Sequence, residues 1–322
     1  MSWRRRTDLI LPAVVMAVLP LFLPNPYWFD VFTRIGLAAV TALWLNILVG
    51  YAGLISIAQA AFSAIGAYGS ALLVLQAGVP PVAAVLLATL VSGGVAFVVG
   101  RPILRLSGHG LTVATLGFGL IVNIILVNEG AWTGGPDGMS VPPLSVGEWA
   151  LTSETGWYAL TAIVLLLAMA ASANLRDSPA GRALRGLSGS AMAAEANGVD
   201  TARLKQRAFV AAALFAGFSG ALLAHYAGFV TPDMAGFLRS IEFLTMVVVG
   251  GRGSTLGVLC GAVLMGGLPQ ILGGYEEYEM CAFGLILMAT MIFMPHGLAA
   301  AFRGGFAGIR EGWGWRRLRF SK

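Results

Sequence analysis

The chain has 322 residues, 57% of them hydrophobic and 11% charged, with a mean hydropathy of +0.81. Soluble domains carry about a quarter charged residues, so this composition excludes an ordinary soluble enzyme and points to a multi-span, all-α membrane protein. The formal net charge of +5 is not a nucleic-acid signature, because the basic residues sort into separate loops instead of forming one patch; no nucleic-acid partner is expected, and the surrounding medium is membrane lipid.

Ten apolar runs read as membrane crossings. Leu9 to Leu23 is the first; Arg4 to Arg6 precede it, and no small-residue cleavage site follows, so it reads as a span and not a cleaved signal. Val31 to Val49 returns, and Gly50 to Gly53 forms a glycine-broken hinge. Leu54 to Gln76, Val82 to Leu104 and Leu111 to Asn128 follow. An acidic loop, 129–155, leads to Gly156 to Leu175. A basic loop, 176–207, leads to Ala208 to Phe229. Arg239 to Gly250 and Thr255 to Leu272 form a hairpin around Gly250, Gly251, Arg252 and Gly253, and Tyr278 to Met294 is the tenth run. The organisation is a transmembrane domain over 1–300 and a basic tail over 301–322.

Charge orients this array. With the N terminus inside, ten crossings put the C terminus inside as well. All 20 Lys and Arg except Arg34 and Arg239 then lie on the inner face, and the outer loop carries Glu129, Asp137, Glu148 and Glu154 with no base. Positive residues translocate poorly, so both termini are expected to be cytoplasmic.

The basic loop has structure signals of its own. Ser178 before Pro179 reads as a helix cap and first turn. Ser190 can cap a short helix, Ala191 to Asn197, that Gly198 stops. Asp200 can cap the helix that re-enters the membrane. Such a pair of short helices either docks a partner or is a solvated connector that sets topology.

Two stretches do not suit plain helices. Arg239 to Gly250, as a helix, is roughly 18 Å long, short of the hydrocarbon core. Around Gly50 and Gly53 helix propensity falls. Irregular backbone at membrane depth survives where protein or a water-filled cavity covers it, and broken helices often line transport paths. Ser56, Gln59 and Ser63 would form a polar stripe on one helical face, facing either a pore or a neighbouring helix. Asn46 and Asn123 read as interhelical glue. Glu242 is either a functional intramembrane acid or the partner of Arg239 one turn back.

Several chemistries are missing. Neither Lys205 nor Lys322 follows Gly or precedes Ser or Thr, so there is no phosphate-binding P-loop; if ATP drives this protein, another chain hydrolyses it. His109, His225 and His296 lack metal-ligand spacing, and a lone His225 at a helix end reads as a structural donor. Cys260 and Cys281 sit in apolar runs as small core residues. No catalytic or metal site is expected, and no cofactor on this chain.

Five stretches carry a resemblance. They are Asn46 to Ser56 with Gln59-Ala60-Ala61-Phe62 and Ile65 to Tyr68; Thr133 to Gly138; Gly181-Arg182-Ala183-Leu184-Arg185 with Ala193 to Ala196 and Gly198; Ser240-Ile241-Glu242 with Gly250 to Ser254; and Met294-Pro295-His296-Gly297-Leu298. In this order the chain resembles the branched-chain amino acid ABC transporter permease family, LivM-type subunit. The resemblance implies a bacterial inner-membrane permease of an ABC importer. It implies a second, LivH-type permease, two ATP-binding subunits that hold ATP and magnesium, and a periplasmic substrate-binding protein. It places Arg182, Arg185, Glu195 and Gly198 in the ATPase-coupling loop. Where the family carries a charged run before Ala193, this chain has Ser188-Gly189-Ser190-Ala191, implying either a less polar ATPase groove or weaker coupling.

Together these readings put Gly53, Ser56, Gln59, Phe62 and Glu242 on the substrate pathway and Gly50, Gly250, Gly251 and Gly253 at hinges. The substrate class is branched-chain or related amino acids, with urea, amides or other small polar solutes as the alternative. A secondary transporter coupled to ions through Glu242 is the alternative of another class.

Overall fold

The computed structural model describes residues 3–21, 25–147, 149–271 and, singly, 284, 285 and 288. The run Tyr278 to Met294 lies almost wholly outside the described residues, as do the closing motif and the tail 301–322.

The order is helical almost throughout. Helix α1 spans Trp3–Val18 and ends in a 3-10 turn, Leu19–Leu21. Helix α2, Pro26–Asn46, widens into a π turn over Ile47–Tyr51. Then come α3 (Gln59–Leu75), α4 (Pro81–Ile103) and α5 (His109–Asn128). The acidic loop holds one helical turn, α6 (Gly130–Thr133), and strands β1 (Met139–Ser140), β2 (Ser145–Val146) and β3 (Trp149–Ala150). Helix α7 (Glu154–Asp177) leads into α8 (Pro179–Gly189) and α9 (Ala191–Ala196), then α10 (Thr201–Ala227). Strand β4 (Phe229–Val230), a 3-10 turn (Pro232–Ala235), α11 (Phe237–Gly250) and α12 (Thr255–Ile271) complete the described chain. The all-α expectation needs one amendment: β1 pairs antiparallel with β4, and β2 with β3.

Among the described residues, five helices are long and apolar enough to cross a membrane: Pro26–Tyr51, Pro81–Ile103, His109–Asn128, Glu154–Asp177 and Thr201–Ala227. From Ile35 onward helix α2 is almost entirely apolar, which suits a helix with no solvent face. It is buried along most of its length and packs against α7, α10, α11 and α12. Helices α4 and α5 instead turn Leu86, Leu90, Val98, Ile121 and Ile124 outward, an apolar surface that lipid or another apolar face must cover.

Helices α3 and α10 come closest. A Cβ on Gly66 would lie 2.0 Å from the Gly217 carbonyl oxygen, and one on Gly220 2.0 Å from that of Ser63. Small residues allow this approach, and dispersion and weak polar contacts between the two backbones reward it where no hydrophobic drive exists.

The helix boundaries differ from expectation in two instructive places. Helix α3 starts at Gln59 and not at Leu54, so residues 52–58 have no helical structure. Helix α10 starts at Thr201, seven residues before the apolar run, because Asp200 caps it by accepting a bond from the Arg203 amide at 3.0 Å.

Gly66→Val should lower the thermal unfolding temperature in detergent by the equivalent of about 1–3 kcal/mol, the usual cost of overpacking. Gly94→Ala, in the same bundle but with open space at its Cβ, should be neutral or gain up to about 1 kcal/mol in helix propensity.

Candidate functional site at the broken helices

The first break starts where α2 loses its regular ladder. After the π turn the Ala52 amide donates to the Ile47 carbonyl and the Leu54 amide to the Leu48 carbonyl, and Gly53 takes a left-handed φ of +67°. The extended segment that follows is not left unsatisfied. The Ile57 amide donates to Thr115 Oγ1 at 3.1 Å, and Thr112 Oγ1 donates to the Ile55 carbonyl at 3.4 Å. Two threonines one turn apart on α5 therefore replace a helical ladder, as backbone at membrane depth requires.

The second break follows Gly250. Gly251 and Gly253 have φ of +104° and +77°, and Ser254 accepts from the Gly257 amide to start α12. The structure brings the two breaks together. Asn46 Oδ1 accepts from the Gly253 amide at 2.8 Å, and the Tyr51 hydroxyl donates to the Gly253 carbonyl at 2.9 Å. A Cβ on Gly50 would meet the Gly253 nitrogen at 2.4 Å. Residues 207 apart in sequence thus form one clasp.

The basic loop sits against this clasp. Its three caps are as anticipated: Ser178 accepts from the Gly181 amide, Ser190 from that of Ala193, and Asp200 from that of Arg203. Gly198 ends the α9 turn with φ +80°. Helix α8 buries Gly181, Leu184 and Leu187 and leaves Arg182 and Arg185 exposed. Arg182 Nη1 donates to the Asp177 carbonyl at 2.9 Å. The Arg185 guanidinium lies 5.8 Å from the Tyr51 ring centroid, within cation–π range. Gly53 abuts Ser188, where a Cβ would lie 3.4 Å from the serine Cβ. Exposed Glu195 accepts from Thr201 Oγ1 at 2.6 Å, which ties α9 to α10.

A third irregular stretch, 228–236, has no counterpart in the sequence reading. It returns part way along the bundle, held by Asn123 Nδ2 donating to the Pro232 carbonyl at 2.8 Å. Helix α11 therefore starts deep and not at the bundle's end. The depth can be read from Ser92, half way along the 23-residue α4. Its hydroxyl shares a proton between the Phe62 carbonyl, 3.2 Å away, and that of Ala213, half way along the 27-residue α10. One turn from this level the Ala60 amide donates to Ser240 Oγ at 3.3 Å. The starts of α3 and α11 meet mid-bundle, and the helices diverge. Helix α3 runs to the acidic-loop end, where Ser70 bonds His225, which also bonds the Pro142 carbonyl. Helix α11 runs to the clasp.

This geometry revises several expectations. Ser56 lies in the extended segment, so it shares no helical face with Gln59 and Ser63; it is buried, and its Oγ accepts weakly from the Ala58 amide. Gln59 is fully buried, and neither Oε1 nor Nε2 has a partner. Phe62 is buried among Phe118 and Phe209, inside this one chain. Glu242 pairs with Arg239 as the local alternative anticipated. Arg239 is not at the outer edge, because Ser240 anchors its turn to Ala60. Tyr51 and Arg239 are the residues whose importance the sequence did not show. A tyrosine between Gly50 and Gly53, flanked by breaks, was the available signal for the first.

The fold and this site define a multi-pass helical membrane transport protein: buried polar breaks joined to a capped, basic two-helix loop. Residues 27–295 match the family of branched-chain amino acid transport system permease components, and the chain belongs to that family. It is 34% identical to the high-affinity branched-chain amino acid transport system permease protein LivM of Salmonella typhimurium, over 90% of this chain and 74% of that protein. It is 33% identical to the Escherichia coli LivM over 88% and 73%. To the permease protein LivH of Escherichia coli it is 26% identical over 81% of this chain and 90% of that one. No solved structure matches it.

Tyr51→Phe should cost about 1 kcal/mol of stability in detergent, the net worth of one hydrogen bond. Asn46→Leu should cost more, about 1–3 kcal/mol, because it strands the Gly253 amide. Thermal unfolding of the two variants checks the order.

Proposed function

We propose that the chain is one of two membrane-spanning subunits of a bacterial ABC importer for branched-chain amino acids, in the inner membrane, with about ten crossings and both termini cytoplasmic. The second permease is of the LivH type. Two separate subunits bind ATP and magnesium beneath the α8–α9 loop, and a periplasmic binding protein delivers substrate to the acidic loop, 129–155. The observation that carries this reading is the seating of α8 on the clasp: one basic helix touches the first break through Arg185–Tyr51 and Ser188–Gly53, and Tyr51 in turn bonds Gly253 of the second.

That seating supplies a route for force. Closure of the ATPases moves whatever holds α8. Packed elements shift as rigid pieces between discrete arrangements, so a moving α8 carries Tyr51 and, through Gly253, the start of α12. The Ala60–Ser240 bond then passes the change from α11 to α3. Exposed Arg182, Arg185 and Glu195 form the docking face, and Gly198 sets the turn behind it. Ser56, Gln59 and Glu242 belong to the pathway region by their place at the mid-bundle break, while Phe62 supports it from behind. The reading of Glu242 as a free ion-coupling acid is weakened by its pairing with Arg239.

Co-expression with the partner subunits and purification through a tag on this chain tests the reading. The wild type should bring down two ATPase chains and one other permease, and the purified assembly should accumulate leucine in liposomes when ATP is supplied. Arg185→Ala with Glu195→Ala should reduce the recovered ATPase about tenfold, equivalent to the loss of a few charge-assisted contacts, and leave the second permease bound. Undiminished recovery of the ATPase would remove these residues from the docking face.

A further inference from the structure

We propose that the Arg239–Glu242 pair is the site that receives the charged head group of the transported molecule, a zwitterionic α-amino acid. This deepens the importer reading and rests on it. Arg239 binds the carboxylate, and Glu242 binds the ammonium.

The first observation is depth. Ser240 is bonded to Ala60, one turn from the level at which Phe62, Ser92 and Ala213 meet half way along α4 and α10. Arg239 and Glu242 flank Ser240 on α11, so both charges lie near the middle of the bundle. The second is exposure. In the isolated chain the Arg239 side chain is 34% exposed and that of Glu242 16%. Next to them Phe237 and Leu238 are exposed at 45% and 55%. A charged side chain at this depth is costly against hydrocarbon and is found facing protein or a water-filled cavity. An arginine cannot shed its charge to escape that cost. The open side of α11 therefore faces an aqueous path or the companion permease, and not lipid.

The third observation concerns the sign of the field. The N-termini of α3 and α11 both open at this level, and each carries partial positive charge from its aligned peptide dipoles. Their N-cap residues, Ala58 and Gly236, have no side-chain cap bond. Beside them the fully buried Gln59 has both amide atoms unpartnered, at a cost that a polar ligand would relieve. Two positive helix ends and a guanidinium suit a carboxylate; the acid three residues on suits an ammonium.

Charge balance favours a zwitterion over either ion alone. The pair is neutral, and so is the ligand, so no net charge enters a poorly solvated region. On binding, one protein ion pair is exchanged for two between protein and ligand. A simple carboxylate would leave Glu242 unpaired, and a simple amine would leave Arg239 unpaired. The exposed Phe237 and Leu238 offer apolar surface to the ligand's side chain.

The test uses the complete transporter in liposomes, with leucine as probe. Arg239→Gln combined with Glu242→Gln removes both charges and leaves no lone buried ion. It should co-purify with all partners yet take up leucine at least tenfold more slowly. Uptake at the wild-type rate would make the pair a folding contact and overturn the proposal. A second measurement does not depend on the charges. With Cys260 and Cys281 replaced by Ser, Leu238→Cys should react with a water-soluble maleimide far faster than Ile121→Cys on α5. Leucine present during turnover should slow that reaction several-fold. A Leu238→Cys rate no greater than that of Ile121→Cys would show that this face meets lipid or a dry protein interface and not an aqueous path, and the proposal falls. A wild-type assembly that recovers no partners and takes up no leucine overturns the importer reading before any variant is compared.

Discussion

The structure depends on keeping buried backbone groups paired where helices stop in the middle of an apolar bundle. An unpaired amide or carbonyl costs several kcal/mol in hydrocarbon, so each break needs a dedicated partner. Thr112 and Thr115 serve residues 55–57, Asn46 and Tyr51 serve Gly253, and Asn123 serves Pro232. These side chains come from the elements that must stay in register. Satisfying the breaks and joining them are the same set of bonds.

The consequence is mechanical. A continuous helix transmits force along its axis, whereas a broken one can bend where a few side-chain bonds hold it. Here the bonds at one end of the bundle form the clasp under α8, and those at mid-level join the starts of α3 and α11. Glycine lets these pieces touch: Gly50 lies against Gly253, and Gly66 against Gly217. A cavity of about 1000 Å3 between α1, α2, α7 and α12 is lined almost wholly by apolar groups. Its lining has hydroxyls at Tyr158, Thr161 and Ser254 but no charged side chain to match an ionic head group, whereas the narrow polar break has Arg239 and Glu242.

Much of the fold was legible in the chain because membranes restrict it so severely. Among the described residues the long apolar runs appear largely as helices, and Ser178, Ser190 and Asp200 cap the helices that their positions suggested. Asn46, Asn123 and His225 serve as structural hydrogen-bonding groups as read. The polar stripe of Ser56, Gln59 and Ser63 was not real, because a 3.6-residue period assumes a helix that Gly53 and the threonines of α5 prevent.

Sequence alone determined the class of protein, the sorting of charge, the capped basic loop and the family motifs, since composition and short-range spacing encode all of these. Tertiary structure alone decided that the two glycine hinges touch, that Arg185 stacks over Tyr51, and that residues 228–236 fold back into the bundle. It therefore decided the depth of Arg239 and Glu242. Depth is set by which residue on another helix bonds to Ser240, and no local pattern encodes a contact made across 180 residues.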